Sequence, residues 1–187
     1  MRHAWHPGSV GRKISAAESG QAAVEFALIA GLMLILFCML VDFSRAIHDV
    51  QVMASLSREG SNLASRGTTL SASANAVVAG DSPLNLSSNG EVIVTSVTNT
   101  TTNNGRKGAT TYLINDQQHA GLNTQTSKVG SLNAPTTVTL PPSVAQMLLP
   151  GQTTYVTEVF YSYQPVTPIH NLLKLVMPST LYQVAYF

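Results

Sequence analysis

Charged side chains are scarce in this sequence. Of its 187 residues only 10% are Asp, Glu, Lys or Arg, and ten basic against nine acidic residues leave a formal net charge of +1. Nucleic-acid binding depends on concentrated Lys and Arg, so we expect no nucleic-acid partner. Because 44% of the residues are hydrophobic, the chain must either bury a dense core or place part of itself in a membrane.

Cysteine is nearly absent. The sequence has one, Cys38, which excludes a disulfide within this chain. Cys38 lies inside an apolar run, where a small hydrophobic role fits better than that of a nucleophile. Cysteine usage therefore leaves the redox compartment open.

Catalytic and metal-binding motifs are lacking as well. There is no phosphate-binding glycine loop and no serine in a nucleophile elbow. The histidines have no metal-ligand spacing; they are His3, His6, His48, His119 and His170. We therefore expect no metal, no cofactor and no enzymatic activity.

Three acids are the weak exception to that expectation. Asp81, Asp116 and Glu158 could in principle meet in space, but acids in a domain rich in Thr and Asn are usually solvated. A membrane-tethered enzyme that used them together with His170 is kept as an alternative, and alanine at these four positions should abolish its activity.

What the sequence does have is one long apolar run. It extends over 21 residues from Gln21 to Val41, and Glu25 is its one charged residue. About 20 such residues are needed to cross a bilayer core as a helix. The run is apolar around the whole helix circumference, which argues against a core helix with one buried stripe, and it is longer than the apolar region of a secretory signal. We predict a membrane span at 21–41.

Basic residues near the span predict its orientation. Arg2, Arg12 and Lys13 precede it, whereas Arg45 and Arg58 follow it. Because basic residues favour the cytoplasmic side, we expect a cytoplasmic N-terminus and a C-terminal domain on the other side of the membrane. The asymmetry is three residues against two.

Glu25 needs an explanation of its own. A carboxylate at the centre of a membrane helix costs about 3 kcal/mol and usually has a partner or a function. In one interpretation Glu25 reaches the interface or is protonated there. In the other, a cut after Gly20 creates an α-amino group on Gln21, about one turn from Glu25 in the same helix and within reach of Glu25 on a staggered neighbouring helix. Such a pair would neutralise both charges and fix the register between subunits.

The same residues carry a resemblance to a known family. Gly20, the five-residue step to Glu25, the aromatic Phe26 and the apolar helix resemble the processing site of type IV prepilins. The longer string "GQAAVEFALIAGLMLILFCMLVDFSRAI" is similar more particularly to the TadE-like family, the minor pseudopilins of tight-adherence (Flp) pilus systems. The resemblance implies that a prepilin peptidase, a membrane-embedded aspartic protease, cleaves between Gly20 and Gln21, and that Glu25 and Phe26 serve assembly.

The resemblance also implies a location in the bacterial inner membrane with a periplasmic C-terminal domain, a function and partners. The function would be that of a structural or priming subunit in pilus biogenesis. The partners would be the prepilin peptidase, a companion minor pseudopilin, the major Flp pilin, the inner-membrane assembly platform and membrane lipid. The alternative is a single-pass anchored periplasmic binding module that is not cleaved and does not enter a filament.

The fold class we predict is α+β and pilin-like, with a long N-terminal helix packed on a small, mainly antiparallel β-sheet. The helix should extend from about Ser19 to Arg66 and end before Gly67. This divides the chain into a leader (1–20), a transmembrane part (21–41), an extramembrane continuation of the helix (42–66) and a periplasmic α+β domain (67–187).

Two faces are predicted for the extramembrane part of the helix. One apolar stripe contains Phe43, Ile47, Val50 and Ala54, and a neighbouring stripe contains Ala46, Val50, Met53 and Ala64. We expect this apolar surface to contact the protein's own domain, with a groove for a partner as the alternative. The polar face should carry Asp42, Arg45, Asp49, Arg58 and Glu59.

Local patterns predict the elements of the domain. We expect a short helix at 71–79, then a hairpin made of a strand at "EVIVTSVTN", a turn at Asn104–Gly105 and a return strand at "ATTYLIN". A short strand at "PTTVTL" and a helical turn in "PPSVAQMLLPG" should follow. The last elements should be a central strand at "TTYVTEVFYSYQP", a short helix at "PIHNLLKLVM" and a closing strand at "TLYQVAYF". The segment "PVTPIHNLLKLVM" is interpreted as a flap over the domain's own core, with a docking surface for another pseudopilin as the alternative.

Overall fold

The first element is a single helix of 52 residues. The computed structural model of the protein describes residues 14–101, 111–132, 138–168 and 178–187, with side chains from residue 20 onward. Helix α1 extends over Ile14–Ser65, so it begins five residues before the predicted start. It ends in a Schellman motif: Gly67 has a φ of +92°, its N–H bonds the carbonyl of Ala64 and the N–H of Thr68 bonds that of Leu63. The predicted end at Gly67 is confirmed.

Three short helices follow in the described part of the chain. The predicted helix before Gly80 is α2, Leu70–Ala79, whose N-cap Thr69 accepts a hydrogen bond from the N–H of Ala72. Helix α3, Leu86–Asn89, has no counterpart among the predictions. Helix α4, Pro142–Met147, is the predicted turn between prolines.

Among the residues that the structure describes, four strands form one antiparallel sheet. They are β1 Gly90–Asn99, β2 Tyr112–Gly121, β3 Thr153–Ser162 and β4 Thr180–Tyr186. Their order is β2-β1-β3-β4, and every neighbouring pair is antiparallel. The α+β fold class is confirmed, and β3 occupies the predicted central position.

Strand β2 differs most from its prediction. It continues to Gly121, six residues beyond the predicted end at Asn115. The continuation "DQQHAG" is polar because β2 is an edge strand with mostly accessible side chains, so it lacks the apolar alternation that marks a buried strand.

Several predicted elements fall wholly or partly outside the described residues. The turn at Asn104–Gly105 lies there, and so does all but the first residue of "PIHNLLKLVM". In "PTTVTL" the described residues 138–140 are not in a strand. The boundaries at residues 20, 41 and 66 stay predictions.

The sheet is covered on both faces. One face packs against α1 and α2 through an apolar core that contains Val92, Val94 and Val159. On the other face Val129, from the connection after β2, packs against Val97 and Val156. The domain therefore has three layers: helices, sheet and an irregular segment.

After residue 41, α1 faces the core with part of the predicted apolar surface. Ala46, Met53 and Ala64 are all buried, which confirms the contact of their stripe with the domain, whereas Phe43 and Ile47 of the other stripe are exposed. The prediction of the polar face was wrong for two residues, since Asp42 and Asp49 are buried as well. They lie four residues before Ala46 and four before Met53, on the same side of the helix.

Candidate functional site

The candidate processing and assembly residues lie together on α1. The helix is continuous through Gly20, Gln21, Glu25 and Phe26, and all four are exposed. The side-chain amide of Gln21 donates a hydrogen bond to Oε1 of Glu25 at 2.9 Å. This contact follows from their spacing, because residues four apart meet on one helix face. The acid and residue 21 are therefore neighbours.

Gly20 packs against nothing. A Cβ placed on it would meet no atom within 4 Å, apart from the helix's own backbone and chain neighbours. Glycine inside a helix costs about 1 kcal/mol relative to alanine. The packing of the described chain therefore gives no reason for glycine at this position.

The surroundings of Glu25 are those of a membrane anchor. Within the part of the chain that the structure describes, α1 is the one helix long and apolar enough to cross a membrane. No part of its most apolar stretch is buried by the described residues, and the side chain of Phe26 is 73% exposed. Side chains of this kind on the outside of the protein indicate a single-pass anchor surrounded by lipid.

Asp42, directly after the apolar run, is the most connected acid of α1. Its Oδ1 accepts a hydrogen bond from the N–H of Val166 at 3.0 Å, and its Oδ2 accepts one from the hydroxyl of Thr167. Its backbone carbonyl accepts a hydrogen bond from the hydroxyl of Tyr163 at 2.7 Å. Asp42 therefore ties the segment after β3 to the helix at the point where the apolar run ends.

Ionisable groups next to this tie have altered pKa values. Burial raises the pKa of the Tyr163 hydroxyl, and the nearby carboxylate of Asp42 adds to the increase. Burial also raises the pKa of Asp49, although Arg45 and His48 act in the opposite direction. The junction between anchor and domain therefore holds two acids with little access to water.

Sequence reasoning missed the structural role of Asp42. It took the "DFSRA" acid for a solvated residue on the polar face. Position was the available signal: Asp42 precedes Ala46, Asp49 and Met53 at helical spacing on the buried side of α1.

Two further acids are buried on the opposite face of the sheet. Glu91 accepts hydrogen bonds from the N–H groups of Thr124 and Gln125 at 2.6 and 2.7 Å, and it lies 2.6 Å from Nδ1 of His119. Glu158 accepts hydrogen bonds from the N–H of Lys128 at 2.8 Å, the hydroxyl of Tyr182 at 2.9 Å and the hydroxyl of Ser127. Both glutamates hold the connection after β2 against the sheet.

The three acids of the enzyme alternative have separate partners. Asp81 accepts a hydrogen bond from the N–H of Leu86, and Asp116 accepts one from the side-chain amide of Gln118. Glu158 is fully buried, so the expectation that all three acids are solvated was wrong. Because Glu158 supports the fold, its replacement by alanine cannot serve as a clean test of catalysis. His170 lies outside the described residues.

Metal ligands are not clustered in the described residues. No group of three or more His, Cys, Asp or Glu side chains is placed there to hold an ion. His48 and His119 belong to this part of the chain, while His3, His6 and His170 do not. Cys38 is half-buried and free.

The distal end of the domain has an open hollow. Its volume is about 460 Å³, and its lining includes Val144, Met147, Tyr186 and Phe187. Because α1 extends from Asp42 beside Tyr163 to Ser61 beside Ala185, this hollow lies at the end of the sheet away from the apolar run.

Comparison with known proteins agrees with the resemblance. Residues 20–62 match the model of the family described as TadE-like protein, which confirms the resemblance predicted from the sequence and relates the chain to the Tad pilus. No curated protein and no solved structure matches the chain. The match covers Gly20, Gln21, Glu25, Phe26 and Asp42 and ends before α2.

Proposed function

From the TadE-like segment at residues 20–62, we propose that this chain is a minor pseudopilin of the tight-adherence pilus. In this proposal a prepilin peptidase cleaves it after Gly20, and the mature chain serves as a structural or priming subunit with no catalytic role. The observation that carries the proposal is the position of Glu25 beside Gln21 on the lipid-exposed side of α1.

The chemistry of Glu25 supports cleavage. In the uncut chain its carboxylate has a neutral partner, the amide of Gln21, which does not balance a negative charge. A cut after Gly20 places a cationic α-amino group on residue 21, one turn away along the helix. Pairing of opposite charges lowers the cost of both in a medium of low dielectric constant.

If the pair forms between subunits, the same two charges determine how neighbouring subunits are arranged. A helix whose Glu25 found no amine would keep an unpaired acid in lipid, so a staggered arrangement that joins the amine of one subunit to Glu25 of the next is favoured. This makes the companion minor pseudopilin and the major Flp pilin the partners of residues 21–26.

The openness around Gly20 supports recognition by an external protein. Since a Cβ at Gly20 would meet nothing within 4 Å, the structure tolerates larger side chains there. A requirement for a small residue would therefore come from the active site of the peptidase.

The location follows from the same proposal. The N-terminus lies in the cytoplasm, where the peptidase cuts, and residues 67–187 lie in the periplasm. The inner-membrane assembly platform would meet the chain on the cytoplasmic side or within the membrane.

Piliation of a Glu25→Ala strain tests the function. Lipid favours alanine over a carboxylate, so membrane insertion should be intact or improved while piliation is lost. Ile29→Leu, a change one turn further along the exposed helix and outside residues 21–26, is the matched control and should insert and form pili normally. Full piliation by Glu25→Ala would contradict the pairing.

An anchored binding module that is never cleaved is the second candidate. The hollow of about 460 Å³ at the distal end, with its exposed Met147 and Phe187, is the observation that favours it. The two candidates differ in the mature N-terminus, because a binding module has no need for a cut after Gly20.

A further inference from the structure

The apolar surface of α1 ends at different positions along the helix axis on its two sides. On the side that faces the domain, the apolar run ends at Asp42, which is buried together with Ala46 and Asp49. On the opposite side the exposed apolar residues continue past that point at spacings of four, three and four, and they are Leu36, Leu40, Phe43 and Ile47.

The length of this exposed face matches the thickness of a bilayer. From Phe26 to Ile47 there are 21 helical steps, about 32 Å, and the hydrocarbon core of a membrane is about 30 Å thick. With Glu25 at the cytoplasmic edge, lipid therefore reaches the level of Phe43 and Ile47 on the open side of the helix. Arg45 lies between these two residues in the sequence and is exposed, so its long basic side chain can extend to the phosphate groups of the lipids.

On the side of α1 that faces the domain, the segment after β3 lies at the same position along the helix axis. The N–H of Val166 bonds the carboxylate of Asp42, which fixes Val166 at the height where the apolar run ends. The side chain of Val166 is 63% exposed. Because Asp42 is fully buried beneath this segment, the acid is covered by protein where it would otherwise meet headgroups and acyl chains.

We propose that the base of the domain, defined here as Phe43, Ile47 and Val166, lies in the interfacial layer of the membrane, with lipid as its partner. Lipid is the occupant because Phe43 and Ile47 continue the exposed apolar face of the membrane anchor, and because Val166 is exposed at the same height on the side of the domain. The domain then rests on the bilayer, and the tie between Asp42 and the segment after β3 sets its orientation. The proposal depends on the membrane anchor and not on cleavage after Gly20.

Tryptophan fluorescence in vesicles tests this contact. The sequence has one tryptophan, Trp5, so the background is the full chain with Trp5→Phe. Three variants then each carry one reporter: Val166→Trp at the base, Phe43→Trp on the exposed face of α1, and Leu149→Trp as the matched control, since Leu149 is 61% exposed near the distal end. Each is reconstituted in phosphatidylcholine with and without bromine on the acyl chains.

Bromolipid should reduce the emission of Val166→Trp and Phe43→Trp by about half or more, because quenching requires contact at the depth of the acyl chains and their boundary. The emission of Leu149→Trp should not change. The same result is expected in a Gly20→Phe background, so that a failure of processing is distinguishable from a failure of this contact.

Three outcomes would overturn the proposal. The first is equal emission of Val166→Trp in both lipids while Phe43→Trp is quenched. The second is quenching of Val166→Trp that weakens as more protein is packed into the same vesicles, which would assign the surface to a second copy of the chain. The third is extraction of the protein by alkaline carbonate, which would refute the anchor itself. Circular dichroism of each variant confirms that it is folded.

Discussion

The N–H of Val166 lies 3.0 Å from the carboxylate of Asp42, a residue 124 positions earlier in the chain. This hydrogen bond joins α1, directly after its apolar run, to the segment after the central strand β3. It is formed at the end of the apolar run, so it couples the anchor to the domain. The positions of the two parts are therefore not independent.

Asp42→Ala should destabilise the domain strongly. It removes the acceptor of two partly buried hydrogen bonds, from the Val166 N–H and the Thr167 hydroxyl, and a buried donor left unpaired costs about 1–3 kcal/mol. We expect a loss of about 3 kcal/mol in the free energy of unfolding, measured by denaturant titration in detergent. Asp42→Asn keeps one acceptor oxygen and should lose less.

The matched control for Asp42 is Glu59→Ala, an exposed acid on the same helix. A surface acid of this kind contributes within about 0.5 kcal/mol. If Asp42→Ala and Glu59→Ala unfolded at the same denaturant concentration, the hydrogen bonds of Asp42 would contribute nothing to the stability of the protein.

Gly60→Ala should also destabilise the protein, because α1 crosses β3 at this glycine. An added Cβ would lie 2.8 Å from Cγ2 of Thr157 and 2.9 Å from Cγ2 of Val77. Both neighbours are short, buried, β-branched side chains that cannot turn away. Overpacking costs about 1–3 kcal/mol, which exceeds the gain of about 1 kcal/mol in helix propensity.

Gly31→Ala makes the same change where space is open, since a Cβ there would meet nothing within 4 Å. Thermal unfolding of both variants in one detergent gives the comparison. We expect a lower Tm for Gly60→Ala and an unchanged or higher Tm for Gly31→Ala. A higher Tm for Gly60→Ala would mean that α1 does not approach the sheet this closely.

Asp49→Asn should stabilise the protein most at neutral pH. Burial raises the pKa of Asp49 in the folded protein, so folding favours its protonated form. The stability of the wild type is then fully present below the unfolded pKa of about 3.9 and is lost as the pH rises through the higher folded value. Asparagine cannot ionise and avoids that loss.

The measurement is the difference in Tm between Asp49→Asn and wild type, taken at pH 4 and at pH 7. The difference should be larger at pH 7. Glu59→Gln, on the exposed side of the same helix, should give differences that vary little between the two values. A larger benefit of Asp49→Asn at pH 4 would contradict a raised pKa.

Sequence patterns predicted the elements of this fold well because most of them rest on local signals. The extent of α1 follows from an uninterrupted helical pattern that ends at Gly67, and the strands β1 and β3 follow from branched apolar residues. The C-terminal half of the edge strand β2 was not predicted, because it pairs with a neighbour on one side only and keeps a polar surface.

The buried acids could not be predicted in the same way. Each of these acids accepts hydrogen bonds from donors that lie between 24 and 125 positions away in the chain; they are Asp42, Glu91 and Glu158. A charge in a sequence gives no sign of partners at such distances, and only the helical spacing of Asp42 from Ala46 and Met53 indicated a buried position. Gly20, Gln21, Glu25 and Phe26, in contrast, form one short motif, and their proximity follows from helix geometry alone.

The central claim is that an amine created by cleavage matches the acid at Glu25. Mass spectrometry of the N-terminal peptide, from protein extracted from the membranes of cells that express a prepilin peptidase, tests it most directly. The account predicts a mature chain that begins at Gln21, and a Gly20→Phe variant that keeps residues 1–20. A wild-type chain in those membranes that retains residues 1–20, or one that begins beyond Val41, would contradict it.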